Sequence, residues 1–290
     1  MCRSIKDHED CSLLQNDLNN LVEWCNKNRL FLNVNKCHFI NFHKVAKKYQ
    51  SYVIDSKALS YVKTVKDLGV IIDENLTFVD HINYVTAKAS KVLGYILRSC
   101  ADLSLNTIKA VYSSLVISIL EFSSIVWSPF YNVHVVCLER VQNKILRFAA
   151  YRLGYNVIEL NHNYTIIRSD LNLHSLKDRR IINDLAFIYK LLNSEINCPD
   201  LLKLINLNIP NHDLRNNNLF HVPHHSTNYG LNSPIDRTLS RLNDLDIDLL
   251  ERYRNPKLKV PLLQDLLIKD KYRICLMRVI GNSVLRNLLF

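Results

Sequence analysis

The placement of chain breakers limits this fold more than any other feature. Only five glycines occur in 290 residues, and six of the seven prolines lie at or beyond Pro199. In a helix interior glycine costs about 1 kcal/mol and proline about 3 kcal/mol relative to alanine. Residues 1–198 therefore contain little to interrupt long helices, and a mostly helical chain is expected. At 48% hydrophobic the chain can bury one large core or two modest ones, which marks it as globular rather than disordered.

Periodicity places the elements. Leu14, Leu18, Leu21, Val22 and Cys25 recur at helical spacing, predicting an amphipathic helix over about 10–27 that ends near Asn26–Asn28. Short runs rich in β-branched and aromatic residues follow: Cys37–Phe42, Tyr52–Ile54, Leu59–Val62 and Val65–Ile72. Lys47-Lys48, Ser56-Lys57 and Asp73-Glu74-Asn75 break them, so they read as strands of a small antiparallel sheet. Beyond Asn75 the period turns helical, with Val85, Val92, Leu93 and Ile96 on one face and Leu138, Val141, Ile145 and Phe148 on another. Leu173, Leu176, Ile181, Leu185, Ile188 and Leu192 predict a further helix over 170–193. Eight asparagines and three prolines between Asn206 and Arg237 mark a long loop. Ser233-Pro234-Ile235-Asp236 then offers an N-cap, a first-position proline and a first-turn acid, opening a last helix pair that runs to Phe290. The expected class is α+β, mainly α, in three parts: 1–75 with the sheet, 76–165 as a helical bundle, and 166–290, helical with a loop at about 206–237. No internal repeat is found.

The formal charge of +10 favours a polyanionic partner, because cations near phosphates release condensed counterions. The excess is spread along the chain: 11 basic against 9 acidic residues in 1–75, 8 against 5 in 76–165, and 18 against 13 in 166–290. The eight cysteines lie far apart, with no Cys-x-x-Cys and no zinc-finger spacing, so reduced thiols in a cytoplasmic or nuclear setting are the plain reading. The N-terminus lacks an apolar run that could direct secretion, and the longest uncharged apolar stretch, Ala110 to Leu120, is too short to span a bilayer. No membrane partner is expected.

Arg140, Lys144 and Arg147 stand at i, i+4 and i+7 as a basic ridge beside an apolar stripe, and Lys88 and Lys91 do likewise on an earlier helix. Spacing alone is equally compatible with a solvated face and with phosphate contact. His221, His224 and His225 lack a Cys, Asp or Glu at ligand spacing and read as loop residues rather than a metal site. Asp7, Glu9 and Asp10 sit at a helix start, where acids meet the positive end of the helix dipole. Serine-hydrolase, phosphate-loop and zinc-protease motifs are absent.

Three spaced blocks carry a resemblance: Asp10-Cys11-Ser12-Leu13-Leu14-Gln15-Asn16-Asp17-Leu18, then Leu21-Val22-Glu23-Trp24-Cys25, then Asn28-Arg29-Leu30-Phe31-Leu32-Asn33-Val34-Asn35-Lys36-Cys37. Their order resembles jockey-type non-LTR retrotransposon reverse transcriptases. Val65-Lys66-Asp67-Leu68-Gly69-Val70-Ile71-Ile72-Asp73 and Leu76-Thr77-Phe78 look like the stretch leading out of that family's palm. Val116 to Pro129, with Leu120-Glu121-Phe122 and Val126-Trp127-Ser128-Pro129, and Leu138-Glu139-Arg140-Val141-Gln142 are similar to its thumb. Thr227-Asn228-Tyr229-Gly230-Leu231-Asn232-Ser233-Pro234-Ile235 is similar to its C-terminal extension.

The resemblance implies a palm remnant over 1–75, a thumb-like bundle over 76–165 and a C-terminal extension over 166–290. Such polymerases use aspartate-held Mg2+ ions to join a nucleotide to a primer, and the family's signature is an aromatic residue, Ala and two adjacent aspartates. No Asp-Asp pair occurs in this sequence. By the family's order that signature falls just before Met1, with Arg3-Ser4-Ile5 similar to the segment after it. Mg2+ is therefore expected only in a full-length polymerase, and this chain alone is expected to be inactive. Lys36 falls where the family has a lysine that can protonate the leaving pyrophosphate, and equally reads as a solvated lysine at a strand start. Leu68 and Gly69 fall in the stretch similar to the primer grip, or mark a simple strand bend. Lys88, Lys91, Arg140, Lys144 and Arg147 take the place of thumb contacts to an RNA template, a DNA primer or an RNA–DNA hybrid. The alternatives are a non-enzymatic nucleic-acid-binding module derived from the element, and a non-functional truncated copy.

Overall fold

Helix α1 (His8–Lys27) starts where Asp7 can cap it. In the computed structural model, which describes residues 1–42, 51–156, 163–208 and 218–244, the Asp7 carboxylate accepts the Asp10 N–H at 3.0 Å. Glu9 and Asp10 fill the first turn, where they complement the dipole. The chain divides into two units, 1–81 and 82–290.

In the first unit, Leu14, Leu18 and Val22 of α1 pack on a small core of Tyr52, Ile54 and Leu59, joined by Val34, Cys37 and Phe39. Among the described residues a 3-10 turn (Val34–Lys36) leads into six short strands: β1 (His38–Phe39), β2 (Val53–Ile54), β3 (Lys57–Ala58), β4 (Ser60–Tyr61), β5 (Thr64–Asp67) and β6 (Val70–Asp73). They form separate two-stranded pairs instead of one sheet. β2–β3 and β5–β6 are antiparallel, whereas β1 and β4 pair in parallel. The Gln15 amide donates to the Val53 carbonyl at 2.8 Å and accepts its N–H at 2.9 Å, so a helix side chain satisfies backbone groups that a neighbouring strand would otherwise take.

The run Val65–Ile72, read as one strand, is a hairpin. Leu68 and Gly69 both have positive φ, 45° and 90°, between the paired residues Asp67 and Val70. That is the two-residue turn whose twist matches the strands, usually written Asn-Gly or Asp-Gly; leucine at its first position hid it. Asp55 and Ser56, with φ of 47° and 62°, close β2–β3 in the same way, so Lys57 begins a strand instead of breaking one. The turn at Asp73 stands as expected, the Asp73 carboxylate accepting the N–H groups of Asn75, Thr77 and Phe78 at 3.0, 3.1 and 2.7 Å. His81 is buried, and its Nδ1 accepts the Ile71 N–H at 3.2 Å. Burial, aided by the charge of Lys66, lowers the imidazole to about 4.

Helices dominate from α2 (Val79–Ser99) onward: α3 (Leu105–Tyr112), α4 (Ser118–Glu121), α5 (Ser124–Trp127), α6 (Asn132–Arg152), α7 (Thr165–Asp170), α8 (Leu176–Leu192), α9 (Pro199–Leu202), α10 (Asn228–Leu231) and α11 (Pro234–Asp244). Ile82, Val85, Ala89, Leu93 and Ile96 line the buried face of α2, and Leu138, Val141, Ile145 and Ala149 that of α6, while Val92 and Phe148, predicted on these faces, are only partly buried. α3 continues into α4 through a π-helical turn, Ser113–Ile117. There Ser114 and Ser118 donate back to the carbonyls of Ala110 and Ser114, a bonding habit that loosens the regular ladder.

The helix expected over 170–193 begins later. α7 ends at Asp170, Asn172 takes φ of 49°, and Ser175 starts α8 by accepting the Asp178 N–H at 3.0 Å. The expected loop at 206–237 holds regular structure: β7 (Asn206–Leu207) pairs antiparallel with β8 (Phe220–His221), and α10 and the start of α11 follow. Ser233 caps α11 and Pro234 opens it, as the sequence predicts. Phe220, Ile235, Leu239 and Leu242 close a core with Ile188. Lys47-Lys48, residues 209–217 and the helix pair expected to reach Phe290 lie, beyond Asp244 in the last case, outside the described residues. The class is α+β, mainly helical, with small sheets that are antiparallel except for β1–β4. Among the described residues no helix is long and apolar enough to cross a membrane.

Candidate nucleic-acid interface

Lys88 and Lys91 are exposed on the side of α2 opposite its buried stripe, one turn apart. No Asp or Glu occurs from His81 to Ala101, so no neighbour on this helix neutralises them past its first turn. Arg140, Lys144 and Arg147 are likewise exposed on one face of α6. The single acid of α6, Glu139, is turned inward: its carboxylate accepts the Lys177 N–H at 2.9 Å and meets Arg168 at 3.5 Å. On their own helices both faces thus present cations without exposed carboxylates beside them, which suits the phosphate backbone of a nucleic acid.

A buried charge network ties α4, α8 and α11 together. Glu121, closing α4, holds Arg179 of α8 through two hydrogen bonds, one of 2.8 Å. Asp184 of α8, with its side chain fully buried, accepts from Arg237 at 3.0 and 2.8 Å and from Arg241 at 2.9 Å, pinning α11. Arg180 is buried beside them. Its two terminal nitrogens make no hydrogen bond among the described residues, and burial pulls the guanidinium down against the opposing fields of Glu139, Glu121 and Asp184. The sequence reading missed this network. Its one local signal was Asp184, a charge set within the apolar stripe Ile181, Leu185 and Ile188.

The other predicted residues lie in the first unit. Lys36 is exposed at the end of the 3-10 turn, two residues ahead of β1 rather than at a strand start. Leu68 and Gly69 form the β5–β6 hairpin tip, with Leu68 half-exposed. Of the three histidines, His221 lies in β8 and His225 bonds Asp236 of α11 at 2.8 Å, so His225 is fixed by the fold rather than loose in a loop. Among the described residues no three His, Cys, Asp or Glu side chains gather in a way that could hold a metal ion. The arrangement supplies exposed charge on two helix faces.

Comparison with known proteins places this geometry in context. The chain is 27% identical over 143 residues to the RNA-directed DNA polymerase from mobile element jockey of Drosophila funebris, covering 48% of this chain and 16% of that protein. It is 23% identical over 148 residues to the probable RNA-directed DNA polymerase from transposon X-element of Drosophila melanogaster, covering 50% of this chain and 16% of that protein. No family model and no solved structure matches. The aligned stretch therefore spans about a sixth of each relative. Together, the ordered sequence blocks and these two similarities relate the chain to the reverse transcriptases of non-LTR retrotransposons.

Proposed function

We propose that this chain is the thumb-side part of a retrotransposon RNA-directed DNA polymerase, and that it grips the template–primer backbone without performing the chemistry. The observation that carries this reading is the pair of exposed, carboxylate-free basic faces, Lys88 and Lys91 on α2 and Arg140, Lys144 and Arg147 on α6. Phosphate contact by such faces is independent of sequence and strongly dependent on salt. In the same reading the Leu68–Gly69 tip approaches the primer end, where Gly69 leaves the backbone without a side chain. Lys36 stands ready to protonate pyrophosphate. The Mg2+ ions belong to aspartates of a longer polymerase, since this sequence holds no adjacent aspartate pair.

Fluorescence anisotropy of the whole chain with an RNA–DNA hybrid tests the reading. Changing Arg140, Lys144 and Arg147 together to alanine should weaken binding at least tenfold, and should lower the slope of log affinity against log salt by roughly 2–3, about one per lost phosphate contact. A loss smaller than about twofold would overturn it. Primer extension with Mg2+ by the isolated chain should yield no product.

A further inference from the structure

We infer that the exposed face of α2 binds single-stranded nucleic acid, with Tyr84 and Tyr95 stacking on unpaired bases and Lys88 and Lys91 holding the phosphates between them. This rests on the reading that the basic faces meet nucleic acid, and adds which form of it α2 is built for. Tyr84, Lys88, Lys91 and Tyr95 succeed one another at intervals of four, three and four residues, which puts all four on one stripe of a helix. All four are exposed, Tyr84 at 40% and Tyr95 at 65%. Ile82, Ala89, Leu93 and Ile96 occupy the buried side of the same helix, so the tyrosines are not part of its core.

The two residue types answer two parts of one ligand. Lysines meet a backbone that any nucleic acid offers. A tyrosine ring meets a base only if the base face is open, and within a duplex those faces are already stacked on each other. The stripe from Tyr84 to Tyr95 spans eleven residue steps, about 16.5 Å of helix at 1.5 Å per residue, enough for a short run of nucleotides. Charge limits its extent: Asp80 is exposed one turn before Tyr84, Arg98 is exposed one turn after Tyr95, and no carboxylate lies between them. The exposed face of α6 repeats the device in Arg140, Lys144, Arg147 and Tyr151, again at four, three and four, with Tyr151 77% exposed.

The test uses the whole chain, a labelled single strand of twenty thymidines and a labelled duplex of equal length. The Y84L/Y95L double variant should bind the single strand at least tenfold more weakly, with an unchanged salt slope, and should bind the duplex within twofold of the parent. Y84F/Y95F should bind the single strand like the parent, because phenylalanine keeps the stacking face. K88A/K91A should lower the salt slope on both probes. Duplex binding combined with single-strand binding that Y84L/Y95L leaves within twofold would overturn this inference and leave the phosphate-grip reading standing. An equal loss on both probes would also overturn it, and binding of neither probe by the parent chain would overturn both readings.

Discussion

Leu68 and Gly69 show how much one backbone angle can decide. Both sit at positive φ, where a Cβ crowds the following carbonyl and costs about 1–2 kcal/mol. Gly69→Ala should therefore destabilise the chain by about 1–2 kcal/mol in urea unfolding, while Leu68→Asn should raise stability by up to about 1 kcal/mol, because asparagine tolerates that angle and Leu68 is half-exposed. A neutral Gly69→Ala would contradict the turn. His81 sets a second residue-level expectation. Its folded value is about 4 against an ordinary 6.5, so above pH 6.5 the imidazole is neutral in both states and its contribution is complete. As pH falls from 6.5 toward 4 the unfolded chain takes up a proton that the folded one resists, and stability drops by up to about 3 kcal/mol through that window. Unfolding midpoints of H81Q, which keeps an acceptor for Ile71, should fall less steeply over the same range; parallel slopes would refute the assignment.

Among the elements, α8 holds α11 through Asp184. Removing one side of a buried ion pair strands its partner, typically at about 3–5 kcal/mol. Asp184→Ala should cost that much by chemical denaturation, whereas Lys203→Ala, whose ion pair with Asp200 is exposed, should cost under about 1 kcal/mol. The two cases also separate what could be read from the sequence from what could not. α1, α2 and α6 were legible because a helix face is written in residues three and four apart, and the α11 start was legible because Ser233 and Pro234 act on their own neighbours. Asp184 and Arg237 are 53 residues apart, and nothing local pairs them. The parallel pairing of β1 with β4, 22 residues on, was hidden for the same reason. The five basic positions of the candidate interface were readable as a periodic pattern, but their exposure came from the fold. Tyr84, Tyr95 and Tyr151 went unnoticed because an aromatic at helical spacing reads as core until its exposure is seen.

At the scale of the whole molecule, a net charge of +10 distributed over all parts of the chain draws polyanions without fixing where they land. In the proposed reading the exposed stripes of α2 and α6 fix it, since each sets its cations on one side of a helix whose other side is core. Within the second unit, α8 and the segments that follow it are held together by contacts that do not follow the chain: β7 with β8, Phe220 and Leu239 on Ile188, and Arg237 and Arg241 on Asp184. If the chain is cut between Asn208 and Asn218, those contacts should keep the pieces assembled. A chain nicked there by a protease should still elute as one particle under native conditions and come apart only in denaturant. The same nick in the Asp184→Ala background should release the C-terminal piece. Pieces that separate without denaturant would mean that α11 does not dock on α8. Coexpressed as two polypeptides split at that point, the halves should find each other and complement, so this protein can be divided in two without first being taken apart.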